Sequence, residues 1–591
     1  MCGIVGCVGK LDVRDYLMQG LRVLDYRGYD SAGVAFIENE KIEVFKSLGS
    51  VDNLDKKTKK NILSNIGIGH TRWATHGVPN DINSHPHLSN SGQFVLVHNG
   101  VIENYKEIKV KLIEKGYSFI SETDSEVIVN LIDYHYKKTK NVLETLEHAS
   151  KILRGSYAIS LLSKDEPNTL YFYKKQSPLM IGLCEKASLL ASDATPMIKM
   201  TKRFIDLKDD QYGYLKAGEA HVFQNKKEIE PEVSTKDPEL LIRDLKGYPH
   251  FMLKEIDEID AVINRLIDLY ARDGCYCFDP KLIEDLKNAD DIVFIACGTS
   301  YHASLVGAKY FENIGKHAYV HVASEFGYYP KKNGENTVYV LLSQSGETAD
   351  SIRCQKYLNE QHKKILVITN TRGSTLERNA TYPLALDAGV EISVASTKVY
   401  SAMVTILVLL AGAVVNQPDA VKQLRDVARS IMTIKARKDE FKNVALKIKN
   451  ATSLFYLGRG YDYITALEAS LKLKETSYIH SEAFPGGEIK HGPIALITEK
   501  TPVIIFISDP ITADAMRNNA KEIESRGAKV YIVSSENLKQ EGDAIVVDDS
   551  SAYLSPLIKS VVAFYLAYFV SSAKGLDVDK PRNLAKAVTV E

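Results

Sequence analysis

The chain has 591 residues, with 74 Lys+Arg against 75 Asp+Glu and a formal net charge of -1. At about 150 residues per unit this length predicts roughly four globular units. The near-neutral charge and a hydrophobic content of 45% exclude the composition of a nucleic-acid-binding or membrane-surface protein, so neither partner is expected.

From residue 2 to about 218 the chain reads as short strands with some helices. The runs 4–8, 34–36, 94–97 and 157–162 are β-branched or aromatic. Residues 104–115 and 125–136 carry apolar positions at helical spacing. This predicts an α+β sandwich over 2–218. Residues 219–278 are more polar and read as a linker, with a charged run at 228–244 and a Gly247-Tyr248-Pro249 turn. From about 279 the order becomes strand, loop, helix, repeated, with strands at 291–296, 338–342 and 365–369. That is doubly wound α/β order. The stretch from Phe294 resembles the stretch from Phe455, each a strand, a glycine-bearing turn and a helix start. Two tandem α/β copies follow, 279–420 and 440–581, with a tail at 582–591. The apolar runs 399–415 and 557–570 fall at or below the roughly 20 residues of a membrane span and read as buried core helices. Seven cysteines in so long a chain fit a reducing compartment. The start MCGIVGCVGK lacks a signal-peptide pattern, so a cytoplasmic location is expected.

Cys2 becomes the amino terminus once Met1 is removed. A thiol of pKa about 8.5 and an α-amine of about 7.7–8.0 are then matched, and the amine can serve as the thiol's base. Asn99 and Gly100, after the 94–97 run, offer a side-chain amide and a close-approaching backbone N–H, the two donors of an oxyanion hole. Arg72 could clamp a carboxylate, and Asp124 could take an ammonium or cap a helix. His70, His76, His85 and His87 do not match a zinc spacing, and no metal is expected. Taken singly, each feature has an ordinary alternative: a chance cysteine, a turn, a packed loop, a cap.

Further on, Thr299 and Ser300 sit on one strand-to-helix loop, and Ser343, Gln344, Ser345 and Thr348 on another. Hydroxyls beside helix N-termini suit a phosphate. Lys472 and Glu475 are three apart on a helix and share a face. A carboxylate can move a proton between sugar carbons, and His491, in a glycine-rich loop, can open a sugar ring. Lys586 could form a Schiff base with a ketose.

The segments Cys2-Gly-Ile-Val-Gly6, Tyr26-Arg-Gly-Tyr-Asp-Ser31, 71–77, His98-Asn-Gly100 and Thr123-Asp-Ser-Glu126 together resemble the class II glutamine amidotransferases with an N-terminal nucleophile. The resemblance implies an αββα sandwich with Cys2 as nucleophile and Asn99 and Gly100 as the oxyanion hole. It places Arg72, Trp73, Thr75, His76, Gly100 and Asp124 around glutamine. The later motifs, with the tail Pro581-Arg-Asn-Leu-Ala-Lys586, resemble the paired sugar-isomerase (SIS) domains of the glutamine–fructose-6-phosphate aminotransferase family. That family implies glutamine and fructose 6-phosphate as substrates, and ammonia carried by an internal channel with Trp73 as its gate. His491 would open the sugar, Lys586 hold it, and Glu475 isomerise it with Lys472 assisting. Thr299, Ser300, Ser343, Gln344, Ser345 and Thr348 would hold the phosphate, with Val394 and Ala585 lining the sugar. No cofactor is implied, and a homodimer is. The linker lacks a long insertion, which points to a bacterial-type or archaeal-type member. The rivals are a glutamine-dependent enzyme for another phosphosugar and a non-enzymatic sugar-phosphate sensor.

Overall fold

The computed structural model describes residues 2–25, 28–73, 76–235, 245–272, 275–549 and 551–588. It divides into two compact units: Met1–Arg243 together with Ala585–Glu591, and Asp244–Leu584.

The first unit stacks two antiparallel sheets. One has eight strands, with Gly3–Gly9 between Ala187–Ala191 and Ile66–Arg72. The other has seven, with Phe94–Ile102 between His87–Leu88 and Gly155–Ser163. Period-2 alternation sorts each strand's side chains between two covered faces. Ile4 and Val8 meet Val95, Val97 and Phe172 between the sheets. Val5 and Cys7 turn outward to Leu17 and Leu21 of the Val13–Leu24 helix. Phe94 and Leu96 turn the other way, to Val127 and Ile132 of Ser125–Thr139 and Leu146 of Val142–Ile152. Helix, sheet, sheet, helix is the αββα order. Gly67 and Gly69 permit the close helix contact, since a Cβ there would stand 2.8 Å from Leu17 and 3.0 Å from Leu21.

The second unit carries two five-stranded parallel sheets of one strand order, second-first-third-fourth-fifth. In the first these are His317–Val322, Asp291–Ala296, Thr337–Ser343, Lys364–Thr369 and Tyr382–Ala385. In the other they are His480–Pro485, Ser453–Gly458, Pro502–Ile507, Lys529–Ser535 and Ile545–Val547. The two repeats share one core. Val404 and Leu407 of Lys398–Val414, Leu473 of Tyr461–Ser477 and Phe564 of Ser555–Ala573 belong to a single buried cluster. Both apolar runs are thus core helices. The stretch Ala552–Ala573 is long and apolar enough to cross a membrane by composition, yet 94% of its apolar window is buried in protein.

Between 219 and 278 most of the described chain is regular structure. Glu219–Gln224, Lys227–Ile229 and Val233–Thr235 extend the sheets of the first unit. Phe251–Asp257 and Ile259–Tyr270 are helices whose Met252, Ile256, Ile263 and Leu266 enter the core of the second. The charged run at 228–244 lies in part outside the described residues.

Candidate active sites

In the first unit the edge of the Gly3–Gly9 strand brings Cys2 beside the end of Ile66–Arg72. The Trp73 N–H donates to Cys2 Sγ at 3.2 Å, and Sγ lies 3.5 Å from the Trp73 carbonyl as donor. Burial raises the thiol above its usual value, opposed by the amino terminus, the Trp73 N–H and Arg72. The thiol therefore stays protonated near neutrality and needs a base to become a nucleophile. Met1 lies outside the described residues.

By sequence His98, Asn99 and Gly100 follow the strand 94–97. In the structure they lie inside that strand, which runs Phe94–Ile102, paired with Ile159, Ala158 and Tyr157. Gly100 has φ +131°, and a Cβ there would come within 2.0 Å of the Ser156 carbonyl, so only glycine fits. Asn99 Nδ2 donates to the Cys2 carbonyl at 3.1 Å and to Ser192 Oγ at 2.9 Å. Asn99 Oδ1 lies 3.0 Å from His70 Nε2.

Arg72 is 3% exposed. Its Nη2 donates to the carbonyls of His76 and Gly77, while Nη1 has no partner among the described residues. A buried guanidinium with an unpaired donor can receive an anion. Trp73 is half-buried with Tyr29 at its edge, ring centroids 5.6 Å apart. His76 stacks edge-on to Tyr105 at 5.2 Å. Asp124 stands at the N-cap position of Ser125–Thr139 but does not cap it; its carboxylate accepts the Ile102 N–H at 2.7 Å. Thr75 lies outside the described residues.

In the second unit, two loops leave the carboxyl ends of the paired strands Asp291–Ala296 and Thr337–Ser343. Thr299 and Ser300 are half-buried in the first turn of Gly298–Asn313. Ser343 Oγ pairs with Thr348 Oγ1 at 2.9 Å and accepts the Gly346 N–H at 3.0 Å; Ser345 Oγ accepts the Glu347 N–H at 3.1 Å. Gln344, Ser345 and Thr348 are half-buried, and helix Ala349–Glu360 begins just after them. The arrangement is a hydroxyl-lined loop before a helix N-terminus.

Lys472 and Glu475 meet at 2.5 Å on Tyr461–Ser477. Lys472 is 1% exposed. Burial works against its charge, but Glu475 and Glu468 outweigh it and hold the ammonium above the usual lysine value. Sequence reasoning missed Glu468, which is fully buried and lies 3.6 Å from Lys472 Nζ. It also accepts from Thr299 Oγ1 at 3.1 Å and contacts His302 Nδ1 at 2.7 Å, tying the first repeat's loop to the second repeat's helix. Its spacing of four from Lys472 and seven from Glu475 was the available signal.

Val394 is half-buried and its N–H donates to the Asp579 carbonyl at 3.0 Å. His491 is exposed just after the turn Glu488–Lys490, with no side-chain hydrogen bond to the Lys472–Glu475 pair. Ala585 and Lys586 are half-buried and group with the first unit.

A thiol beside a buried amide and a guanidinium with one donor unpaired among the described residues, in an αββα sandwich followed by two α/β repeats with a hydroxyl loop, defines a glutamine amidotransferase fused to paired SIS domains. The family comparisons agree. A glutamine amidotransferase domain model matches residues 70–199, and a SIS domain model matches 285–413 and 447–568. The chain belongs to the glutamine–fructose-6-phosphate aminotransferase (isomerizing) family. It is 44% identical to that enzyme of Shouchella clausii and 42% to that of Geobacillus kaustophilus, each over the whole of both chains. It is 43% identical to that of Streptococcus pneumoniae, again over the whole of both. Among solved structures, the C-terminal domain of glucosamine-fructose-6-phosphate aminotransferase from Francisella tularensis matches 57% of this chain and all of its own, with TM-score 0.55 and 29% identity. Tagatose-6-phosphate ketose/aldose isomerase of Escherichia coli matches 57% of this chain and 98% of its own at TM-score 0.51 and 18% identity, a likeness of fold.

Proposed function

We propose that the enzyme takes the amide nitrogen of glutamine at Cys2 and transfers it to fructose 6-phosphate with isomerisation, yielding glutamate and glucosamine 6-phosphate. The carrying observation is the Cys2 thiol held by the Trp73 N–H with the Asn99 amide on the Cys2 carbonyl, in a chain that also holds the buried Lys472–Glu475 pair and a hydroxyl loop.

In the first half-reaction the α-amine freed by Met1 removal accepts the Cys2 proton, and sulfur attacks the glutamine amide carbon. Asn99 Nδ2 and the Gly100 N–H receive the oxyanion. The C–N bond breaks, ammonia leaves, and water hydrolyses the thioester to glutamate. Arg72 Nη1 takes the substrate α-carboxylate and Asp124 its α-ammonium; Trp73, Thr75 and His76 enclose it. Ammonia is the nitrogen consumed in the second half-reaction, with Trp73 gating its passage.

There the phosphate rests on Thr299, Ser300, Ser343, Gln344, Ser345 and Thr348. His491 opens the sugar ring, the Lys586 amine condenses with the ketose carbonyl with loss of water, ammonia adds to that imine and expels the lysine amine, and Val394 and Ala585 line the chain of carbons. Glu475 moves the proton between the first two carbons, with the Lys472 ammonium stabilising charge on the neighbouring oxygen. The enzyme acts in the cytoplasm as a homodimer without nucleic acid, membrane or cofactor.

Mass spectrometry of product made from amide-labelled glutamine and fructose 6-phosphate tests the reading. Label in glucosamine 6-phosphate, lost in Cys2→Ala, is expected. Unlabelled product, or undiminished transfer by Cys2→Ala, overturns it.

A further inference from the structure

Behind Asn99 lies a layer of buried imidazoles that the reaction above does not use. His70 is fully buried in the Ile66–Arg72 strand and stacks on His85, centroids 4.1 Å apart and planes 14° apart. Its Nε2 lies 3.0 Å from two oxygens, the His98 carbonyl and Asn99 Oδ1. Neither oxygen can donate, so Nε2 must carry a proton and give it to both. Its Nδ1 is buried with no partner among the described residues, so a second proton there would be an unsatisfied N–H. Burial holds the ring neutral, its pKa lowered to about 3, with Arg72 and His98 adding to the cost of charge. One tautomer remains, neutral with Nε2–H.

That tautomer decides which way Asn99 faces. An amide can flip by 180° and exchange its oxygen and nitrogen. With Oδ1 accepting from His70, Nδ2 is turned to the Cys2 carbonyl and to Ser192 Oγ. Ser192 Oγ is itself anchored by the Ile4 N–H at 2.8 Å. In the flipped state Nδ2 would meet the His70 donor, and Oδ1 would face the Cys2 carbonyl, two repulsive contacts.

We propose that His70 is a positioning residue for glutamine hydrolysis: its Nε2–H fixes the Asn99 amide so that an N–H, and not the amide oxygen, is turned toward Cys2. This rests on the reading of Asn99 as an oxyanion donor. The effect belongs to the transition state, where charge develops on the substrate oxygen, and not to ground-state binding of glutamine.

The test uses the full-length processed enzyme and follows glutamine hydrolysis in four variants. Loss of one oxyanion donor lowers kcat about 10²–10³-fold, and Asn99→Ala sets that scale. His70→Ala should lower kcat at least tenfold with KM changed less than threefold. His70→Gln keeps an amide donor near the Nε2 position and should recover most of the rate; His70→Asn, whose amide reaches only the Nδ1 position, should not. If His70→Ala keeps the wild-type kcat, or all three His70 variants lose kcat and KM alike, the proposal falls. If Asn99→Ala is as fast as wild type, the oxyanion reading itself falls. Should the variants fail to fold, neutron diffraction from the wild-type protein decides: a proton on Nε2 supports the assignment, and one on Nδ1 alone overturns it.

Discussion

The two α/β repeats share one strand order but treat the carboxyl ends of their strands in opposite ways. In the first repeat the loop after Thr337–Ser343 is left to hydroxyls: among the described residues, Ser343, Ser345 and Thr348 bond one another and nearby backbone N–H groups. In the second repeat the protein fills the same place with its own charges. Asp462, in the first turn of Tyr461–Ser477, accepts the Ser508 N–H and Oγ–H, each at 2.7 Å. Fully buried Lys559 donates to Asp549 at 2.8 Å, Ser535 Oγ at 3.0 Å, the Ile507 carbonyl at 3.1 Å and Ser555 Oγ at 3.2 Å. An internal carboxylate thus occupies the donors at the end of the second repeat's third strand. One fold, duplicated, carries a hydroxyl loop in one copy, which we propose holds the phosphate; the other copy supplies the Glu468–Lys472–Glu475 face from its helix. Function is set by the strand-end residues and not by the sheet.

This division can be broken most decisively at Glu475. Glu475→Gln should lower kcat for sugar conversion by about 10²–10⁴ with little change in KM for fructose 6-phosphate, because it removes the proposed proton-transfer group and leaves the proposed phosphate loop intact. A KM effect without a kcat effect would reverse the roles given to the repeats. Next in size, Asp549→Ala strands the Lys559 ammonium in the core. A loss of about 3–5 kcal/mol in urea unfolding is expected, with KM unchanged in the folded enzyme. Retained stability would mean that the buried pair is not what fills the second repeat.

Ser345→Ala should raise KM for fructose 6-phosphate on the order of ten-fold, as one hydrogen bond to a charged group is worth about 1.5–3 kcal/mol. Ser508→Ala is the matched control. It should cost about 1 kcal/mol of stability and leave KM alone; a KM rise equal to that of Ser345→Ala would erase the distinction. The smallest effect is in pH. Burial raises Asp462 above the usual aspartate value against the pull of Lys559. The folded chain then binds this proton more tightly than the unfolded chain. The associated stability is full below the ordinary aspartate range and declines as pH rises through the raised value. Asp462→Asn should flatten that slope in thermal melts between acid and neutral pH.

The glutaminase motifs were readable because their members lie close in sequence. His98, Asn99 and Gly100 are adjacent, and Gly100 announces a backbone conformation that no other residue adopts without collision. Lys472 and Glu475 were readable because three residues on a helix bring them together. Ser192 was not, since it is 93 residues from the amide it anchors. The tie from Thr299 to Glu468 crosses 169 residues. The N-cap reading of Asp124 followed a local propensity, and a tertiary partner, the Ile102 N–H, took the carboxylate instead.

By itself the sequence determined an α+β first unit and two strand–loop–helix repeats, and its short motifs named the candidate site residues, because these patterns are local properties of a chain. Only the tertiary structure decided that the two repeats share one core, that Asp462 and Lys559 fill the second, that Arg72 keeps a donor unpaired among the described residues, and that the Asn99 amide meets the Cys2 carbonyl. Those outcomes depend on which distant groups are buried together. In a low-dielectric interior every donor, acceptor and charge must find its partner in space, whatever its distance along the chain.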